Sequence, residues 1–401
     1  MEGLKEWGKV VGAKCSCLLA NRNTSKNISR FAWTLVECMK KIIIFTAAYG
    51  NGHNSVAQVL KEQIKEMGEN FKVEILDFFH VFAKEKETMM YQGYEELIRT
   101  LPGLFNLYYN AKDRVNFIKW FDTADVSIRR HVEAFFEKVT VDLVISTFPV
   151  ASGYLAHLKK KGKAKFQLAT VITDFVATSE WLYQGTDCYF VATNEIKKEM
   201  IQKGIEKDSV FVAGIPVRKE FYEYSEEEKI PGLVTFLGGG LGILPENPEF
   251  YLDISKIKGA NLVIVTGKNK ELRKRLEETI KKENITILGF ENNMPKLLRQ
   301  SQVVVGKPGG LSLFEAVMAD TPYILYQAKL GQEKRNERYF VKHRLGQAAK
   351  NEKECKEAIL KQFTNSKERK IEAIQRRNIR EAVEPESIKM LLRDKKFGFG
   401  S

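Results

Sequence analysis

The stretch from Val303 to Asn336 constrains the fold of this chain most strongly, because it combines three local signals in a fixed order. It begins with an apolar run typical of a buried strand, which the glycine-containing segment 307–310 interrupts. Apolar residues at helical spacing follow, with Ser312 and Glu315 three positions apart as in a capping box. A second apolar run begins after Pro322. The order strand, glycine turn, helix, strand predicts one unit of a parallel, doubly wound α/β sheet.

The same stretch has chemistry suited to a nucleotide. Glycines at the start of a helix let backbone N–H groups approach an anion closely, and the helix dipole favours negative charge there. Glu315, one turn into the helix, is unsuited to a phosphate but can accept hydrogen bonds from ribose hydroxyls. Phosphate and sugar hydroxyls side by side indicate a nucleotide, although an ordinary βαβ turn with glycine at a tight bend would look the same.

Similar strand–turn units recur on both sides of a charged stretch, and 401 residues are too many for one typical core. We therefore predict two doubly wound domains, residues 39–220 and 230–375, with a linker near Tyr224–Lys229. Residues 1–38 have no clear strand pattern. They are expected to be a poorly ordered extension, or upstream sequence translated from a misassigned start. Residues 376–401 are expected to form a closing helix and tail.

Charge and cysteine usage narrow the class of protein. The chain has 64 Lys and Arg against 51 Asp and Glu, a net charge of +13, which favours an anionic partner. Many basic proteins bind nothing specific through their charge, and no nucleic-acid-binding module is recognisable, so nucleic acid is not expected. Five cysteines without a Cys-x-x-Cys motif indicate reduced thiols in the cytoplasm. No apolar run approaches the roughly 20 residues that span a bilayer, and no convincing signal peptide is present.

Two polar residues of the first half stand where α/β sheets bind ligands. His53 follows an apolar run and a glycine turn and precedes helical spacing. The dipole of that helix would disfavour an imidazolium, lowering the pKa and keeping a base available near neutral pH. A lone histidine at a turn can equally be structural. Asp174 ends the strand expected over residues 166–173, at the edge where such sheets bind ligands.

Residues 78–121 mix aromatic and basic side chains on helical segments. A surface that touches a membrane needs this combination, with rings at the headgroup boundary and cations for anionic lipids. The alternative is that the aromatic side chains belong to a core and the lysines to its solvated face.

Six motifs, in order, resemble the family 28 glycosyltransferases of GT-B fold, above all bacterial processive diacylglycerol β-glucosyltransferases and plant monogalactosyldiacylglycerol synthases. The motifs span Lys41 to about Lys350, and each is weak alone. They are Thr46-Ala47-Ala48-Tyr49-Gly50-Asn51-Gly52-His53, Thr173-Asp174 with Trp181, Gly214-Ile215-Pro216-Val217-Arg218, Gly238-Gly239-Gly240-Leu241-Gly242, Lys307-Pro308-Gly309-Gly310 with Glu315, and Gly331-Gln332-Glu333 with Asn336. The resemblance implies two Rossmann-like domains that face an inter-domain cleft.

The resemblance also implies a UDP-sugar site in the C-terminal domain. Uracil would lie between Phe290 and Met294, the ribose hydroxyls on Glu315, and the sugar hydroxyls on Gln332 and Asn336. Backbone donors in the glycine turns, with a cation from the other domain, would bind the diphosphate. The residues implied for the donor are Gly52, Arg218, Gly239, Gly240, Phe290, Met294, Gly309, Gly310, Glu315, Gln332 and Asn336.

The implied acceptor is diacylglycerol or a glycosyl-diacylglycerol, which would approach through the aromatic segment. The residues implied for the acceptor or the membrane are Tyr94, Phe105, Tyr108, Tyr109, Trp120 and Trp181. Tyr183-Gln184 after Trp181 departs from the usual acceptor motif. An anionic membrane surface would be a partner, which predicts a peripheral protein on the cytoplasmic face of the cell membrane.

We expect an inverting transfer, which needs a base for the acceptor hydroxyl and charge stabilisation for the departing UDP. His53 is the candidate base, with Asp174 either orienting it or serving as the base itself. There is no Asp-x-Asp motif, so no obligatory metal is expected, and no cofactor is expected because the UDP-sugar is a substrate. The alternatives are a lipid-linked UDP-GlcNAc transferase of peptidoglycan synthesis, a UDP-GlcNAc 2-epimerase, and a non-catalytic nucleotide-sugar sensor.

Overall fold

The computed structural model describes residues 39–48, 52–68, 70–85, 87–88, 91, 126–223, 229–239, 244–329 and 331–392. The expectations for residues 1–38, for most of the aromatic segment and for the tail after residue 392 lie outside these ranges. Within them, no helix combines the length and the apolar character needed to cross a bilayer.

The first domain is a six-stranded parallel sheet with strand order β2-β1-β3-β4-β5-β6. Its strands are β1 (Lys40–Thr46), β2 (Phe71–Asp77), β3 (Leu143–Ser146), β4 (Gln167–Val171), β5 (Cys188–Val191) and β6 (Val210–Val212). Its helices are α1 (Gly52–Lys65), α2 (Phe78–Phe82), α3 (Val126–Lys138), α4 (Pro149–Lys160) and α5 (Asn194–Gln202). Apolar runs such as Ile42–Phe45 are buried because helices cover both faces of the sheet.

The second domain is also a six-stranded parallel sheet, with strand order β12-β11-β10-β7-β8-β9. Its strands are β7 (Leu233–Leu237), β8 (Asn261–Val265), β9 (Ile285–Leu288), β10 (Val303–Gly306), β11 (Tyr323–Tyr326) and β12 (Gly346–Ala349). Its helices are α6 (Pro248–Ser255), α7 (Lys270–Thr279), α8 (Met294–Gln300), α9 (Gly310–Met318), α10 (Gly331–Lys342), α11 (Glu352–Thr364) and α12 (Ser366–Ala382). The expected pair of doubly wound domains is therefore confirmed.

Each sheet has one place where the chain reverses its direction of winding. In the first sheet this switch point lies between β1 and β3, and in the second it lies between β7 and β10. The loops that leave neighbouring strands diverge there, so a crevice opens at the carboxyl ends of the strands. His53 follows β1, and the segment 307–310 follows β10. The strand order therefore places both predicted turns at switch points.

Two local expectations are wrong, and one strand was missed. Helix α9 begins at Gly310 with Gly309 as its N-cap, so Ser312 lies inside the helix and forms no capping box. Helices α11 and α12 are separate because the Asn365 side chain caps the second one. The short strand β12 was missed, since Gly-Gln-Ala-Ala is no apolar run. The aromatic residues at 78, 79 and 82 are buried in the first core and do not form an interfacial surface.

A partly buried ionic network fixes the last long helix to the second domain. Asp320, in the turn after α9, accepts from Arg376 Nε at 2.9 Å and from Arg380 Nη1 at 3.2 Å. The chain then returns to the first domain, where the Glu384 N–H donates to the Val212 carbonyl at 2.8 Å. The chain therefore connects the two domains twice, once before β7 and once after α12.

Candidate active site in the inter-domain cleft

His53 lies in the first turn of α1, at the switch point of the first sheet. Its Nδ1 lies 2.6 Å from the Thr147 carbonyl oxygen, which can only accept, so Nδ1 carries the proton and Nε2 keeps its lone pair. The ring packs between Phe148 and Trp181, with centroids 5.5 and 6.4 Å away. Burial lowers the pKa of His53 to about 4, against a smaller opposing effect of the Thr147 hydrogen bond. The imidazole is therefore neutral, and burial is the main cause.

Asp174 lies three residues beyond the end of β4. Burial raises the pKa of its carboxyl to about 6, although a hydrogen bond from Asn336 acts in the opposite direction. A carboxyl with this pKa is ionised at neutral pH but is a much stronger base than an ordinary aspartate. Thr173, beside it in sequence, has its Oγ1 3.2 Å from His53 Nδ1. The two candidate catalytic residues therefore belong to one cluster.

Asn336, on α10 of the second domain, connects directly to this cluster. Its Nδ2 donates to Asp174 Oδ1 at 3.0 Å and to the Pro308 carbonyl at 3.1 Å. Its Oδ1 accepts from the Phe175 N–H at 3.0 Å. The side chain is fully buried, and these contacts orient Asp174. The role of Asn336 toward the sugar hydroxyls stays a prediction.

Two further contacts hold the domains together around Asp174. The Phe175 ring is fully buried among aromatic residues of the second domain, with its centroid 4.8 Å from that of Phe340 and 5.4 Å from that of Tyr339. At Gly310, a Cβ atom would collide with the Thr173 carbonyl oxygen. Glycine is thus required there because the backbones of the two domains touch, and not only to admit a phosphate.

The donor side of the cleft lies on α9 and on the loop after β9. Glu315 is half-buried and has no side-chain hydrogen-bond partner among the described residues. Burial raises the pKa of its carboxyl to about 7, and Arg218 acts in the opposite direction. Phe290 is an apolar side chain with 62% of its surface exposed. Arg218 reaches across from the first domain and donates to the Asn292 carbonyl at 2.5 Å.

These features fit the parts of a nucleoside diphosphate. An exposed aromatic ring offers a stacking surface for a base, and a carboxylate without a partner offers acceptors for ribose hydroxyls. Gly239, with a φ of +63°, stands beside the N-terminus of α9 on the neighbouring strand's loop. Met294, Gln332 and Gly309 lie on the same side of the molecule, in α8, α10 and the N-cap of α9. Gly52 opens α1 and faces Leu311 of α9 across the cleft.

Not every predicted site residue can be placed. Trp181 is 1% exposed and packs on the His53 ring, so it supports the catalytic cluster and does not reach a membrane. The remaining acceptor residues and one donor glycine lie outside the described ranges. These residues are Tyr94, Phe105, Tyr108, Tyr109, Trp120 and Gly240.

The sequence reasoning missed residues whose importance depends on the other domain. Phe175 follows the noted Asp174 directly, yet no pattern in the sequence indicates that its ring crosses to α10. Lys307 and Glu333 belong to the quoted motifs but were given no role, and they form an ion pair at 3.5 Å. Lys307 and Glu333 are both charged residues beside a glycine turn, and this pattern could have singled them out.

Solved structures share this architecture. The calicheamicin glycosyltransferase CalG4 superposes with a TM-score of 0.58 at 14% identity, over 89% of this chain and 98% of the other. MurG of Acinetobacter baumannii superposes with a TM-score of 0.54 at 15% identity, over 88% and 98%. Identities this low show the fold alone. With the paired sheets and the cleft, they define a protein of GT-B fold.

Two family models divide the chain between them. Residues 53–217 match "Monogalactosyldiacylglycerol (MGDG) synthase", and residues 248–380 match "Glycosyl transferases group 1". A relative from Bacillus mycoides (strain KBAB4), named processive diacylglycerol beta-glucosyltransferase, is 28% identical over 319 residues, covering 75% of this chain and 80% of its own. These matches confirm the resemblance that the motifs indicated: the chain is similar to glycosyltransferases, among them a processive diacylglycerol beta-glucosyltransferase.

Proposed function

We propose that this protein transfers a hexose, with inversion, from a UDP-sugar to the hydroxyl of diacylglycerol or of a glycosyl-diacylglycerol. One observation carries the proposal: two sets of residues meet in the cleft. His53 and Asp174 can accept a proton, and the groups around Glu315 suit the parts of a nucleotide. Each set lies at the switch point of its own sheet, and Gly310 brings the two into contact with Thr173. The names of the relatives supply the acceptor class.

The donor binds in the second domain. Phe290 and Met294 lie beside the uracil, Glu315 accepts from the ribose hydroxyls, and the backbone N–H groups at the start of α9 point to the diphosphate. Arg218 is a cation beside this site from the opposite domain. Gln332, half-buried in the first turn of α10, is placed to hold a sugar hydroxyl.

The reaction is a single displacement. The acceptor oxygen bonds to the anomeric carbon while the bond from that carbon to the UDP oxygen breaks, and the acceptor proton moves to a protein base. His53 Nε2 is that base, because Nδ1 is fixed by the Thr147 carbonyl, which also stabilises the imidazolium that forms. The Asp174 carboxylate favours the same cation through its negative charge.

The acceptor requires contact with a lipid surface. Tyr94, Phe105, Tyr108, Tyr109 and Trp120 remain our proposal for that contact, with anionic lipids attracted by the net charge of +13. Cys188 and Cys355, buried and without a disulfide, are consistent with a reducing compartment. We therefore propose a peripheral protein on the cytoplasmic face of the cell membrane.

A substrate panel tests the proposal. Purified protein is incubated with radiolabelled UDP-glucose, UDP-galactose or UDP-GlcNAc and with vesicles that contain either diacylglycerol or a polyprenyl diphosphate lipid, and the lipids are then separated. A labelled glycolipid is expected. Labelled UDP-ManNAc in the soluble fraction would instead indicate the epimerase, and transfer of GlcNAc to a polyprenyl diphosphate lipid alone would indicate the peptidoglycan enzyme. UDP-sugar binding without any product would indicate a sensor.

A further inference from the structure

Lys307 is the first residue after β10, at the switch point of the second sheet. Strands β10 and β7 pair in parallel with Gly306 opposite Leu237, so the loops that follow them are neighbours. The lysine side chain runs across to the other loop, where a Cβ atom on Gly239 would lie 3.5 Å from Lys307 Cε. Its ammonium therefore lies between the two glycine turns of the second domain.

Glu333 holds this ammonium in place. Its Oε1 lies 3.5 Å from Lys307 Nζ, and its side chain is only 7% exposed. Its other oxygen, Oε2, accepts from the Lys329 N–H at 3.0 Å, which fixes the carboxylate at the start of α10. The lysine side chain keeps 30% of its surface exposed. An ammonium has three N–H donors, so the pair with Glu333 leaves donors for a second anion.

We propose that Lys307 binds the diphosphate of the donor and neutralises the charge that develops on the departing UDP. This role rests on the proposed function, because it requires a nucleoside diphosphate at the glycine turns. Arg218 already donates to the Asn292 carbonyl and comes from the other domain. Lys307, in contrast, belongs to the loop that supplies the glycine N–H groups, so it accompanies the diphosphate whether the domains are together or apart.

Binding of UDP and of uridine separates this role from a structural one. Lys307→Met is expected to weaken UDP binding about 10- to 100-fold, the usual effect of losing a charged hydrogen bond, and to leave uridine binding within about twofold. Lys334→Met is the matched control, since that lysine is exposed on the same helix as Glu333. It is expected to change neither affinity. Equal weakening of UDP and uridine by Lys307→Met, or no weakening of UDP, overturns the proposal.

A double variant removes the remaining ambiguity. In Lys307→Met the Glu333 carboxylate loses its cation and could itself repel the diphosphate. Lys307→Met combined with Glu333→Gln removes that charge as well. If Lys307 contacts the diphosphate, the double variant still binds UDP at least about tenfold more weakly than the unaltered protein. Recovery of full UDP affinity would mean that the lysine only neutralises Glu333, which refutes the proposal.

The unaltered protein provides the test of the proposed function itself. It must bind UDP more tightly than uridine before any variant is interpreted. If it does not, the nucleotide-sugar reading fails. If it does and Lys307→Met has no selective effect, only the role of the lysine fails.

Discussion

Replacing Asp174 by Asn tests whether this carboxylate is held in an unfavourable environment for the sake of the reaction. The side chain keeps its shape, and an amide oxygen can still accept from Asn336 Nδ2. What changes is the charge. Burial raises the pKa of Asp174 from 3.8 to about 6, so the folded protein disfavours the ionised form.

The sign of the stability effect follows from that shift. Above pH 6 the Asp174 carboxyl is ionised in both the folded and the unfolded protein. Its ionisation destabilises the folded protein by about 2 to 3 kcal/mol, since one pKa unit corresponds to about 1.4 kcal/mol and the group retains some solvent contact. Between pH 6 and pH 4 the folded protein takes up the proton first, so this cost disappears. Asp174→Asn is therefore expected to raise the midpoint of thermal unfolding by roughly 4 to 8 °C at pH 8 and by almost nothing at pH 4.

Activity is expected to move in the opposite direction. The variant should lower kcat by at least about 100-fold, and the fall of kcat/KM below pH 6 should disappear with the titrating group. The assays are thermal unfolding at pH 8 and pH 4, and glycolipid formation from pH 5 to pH 9. A variant that is less stable than the unaltered protein at pH 8, or one whose stabilisation is the same at both pH values, refutes the reasoning.

Three other substitutions test the donor side of the cleft, the contact between the domains and the ionic network of Asp320. Because burial holds the pKa of Glu315 near 7, the affinity for uridine should rise with pH up to about 7 and then level off. Glu315→Gln should weaken uridine binding about tenfold or more and abolish this pH dependence. Gly310→Ala should lower activity at least about 100-fold by forcing the domains apart, as small-angle scattering would show. Asp320→Asn should lower the free energy of unfolding by about 1 to 3 kcal/mol in urea titrations, since the buried Arg376 loses its shorter ionic contact and keeps only Glu372, 3.8 Å away.

Each of these predictions has a matched comparison. A uridine affinity independent of pH would contradict the Glu315 argument, and uridine avoids the titration of the phosphates. Gly309→Ala places a Cβ where no atom lies within 4 Å, so the domains should stay together in that variant. Asn tolerates the positive φ of 51° at position 320, so backbone strain does not complicate that substitution. Unchanged stability there would show that the ionic network contributes nothing net.

Local sequence patterns predicted most of the strands, and they predicted that His53 and Asp174 would follow strand ends. The two apolar runs of the stretch 303–336 form β10 (Val303–Gly306) and β11 (Tyr323–Tyr326), because glycine, proline and polar residues bound them. His53 and Asp174 were found because parallel sheets place ligands at the carboxyl ends of their strands. β12 was missed because an edge strand of small residues has no apolar pattern.

Contacts between the domains could not be predicted in this way. Asn336 and Asp174 are 162 residues apart, and their hydrogen bond depends on how two separately folded sheets face each other. The sequence shows which residues carry chemistry, but not which of them the opposite domain buries. The low pKa of His53 was expected from the helix dipole, but its largest cause is burial, to which Phe148 and Trp181 contribute and which no local pattern reveals.

Helix α10 connects donor recognition to the catalytic cluster within little more than two turns. Gln332 lies in its first turn, Glu333 holds the Lys307 ammonium, Asn336 orients Asp174, and the Tyr339 hydroxyl donates to Thr193 Oγ1 of the first domain at 3.0 Å. Residues three or four apart lie on one face of a helix, so these contacts cannot be adjusted independently. If the domains separate, Asp174 loses its hydrogen bond and the buried environment that sets its pKa. If Asp174 acts in the reaction as proposed, its raised pKa therefore requires the second domain to be in place.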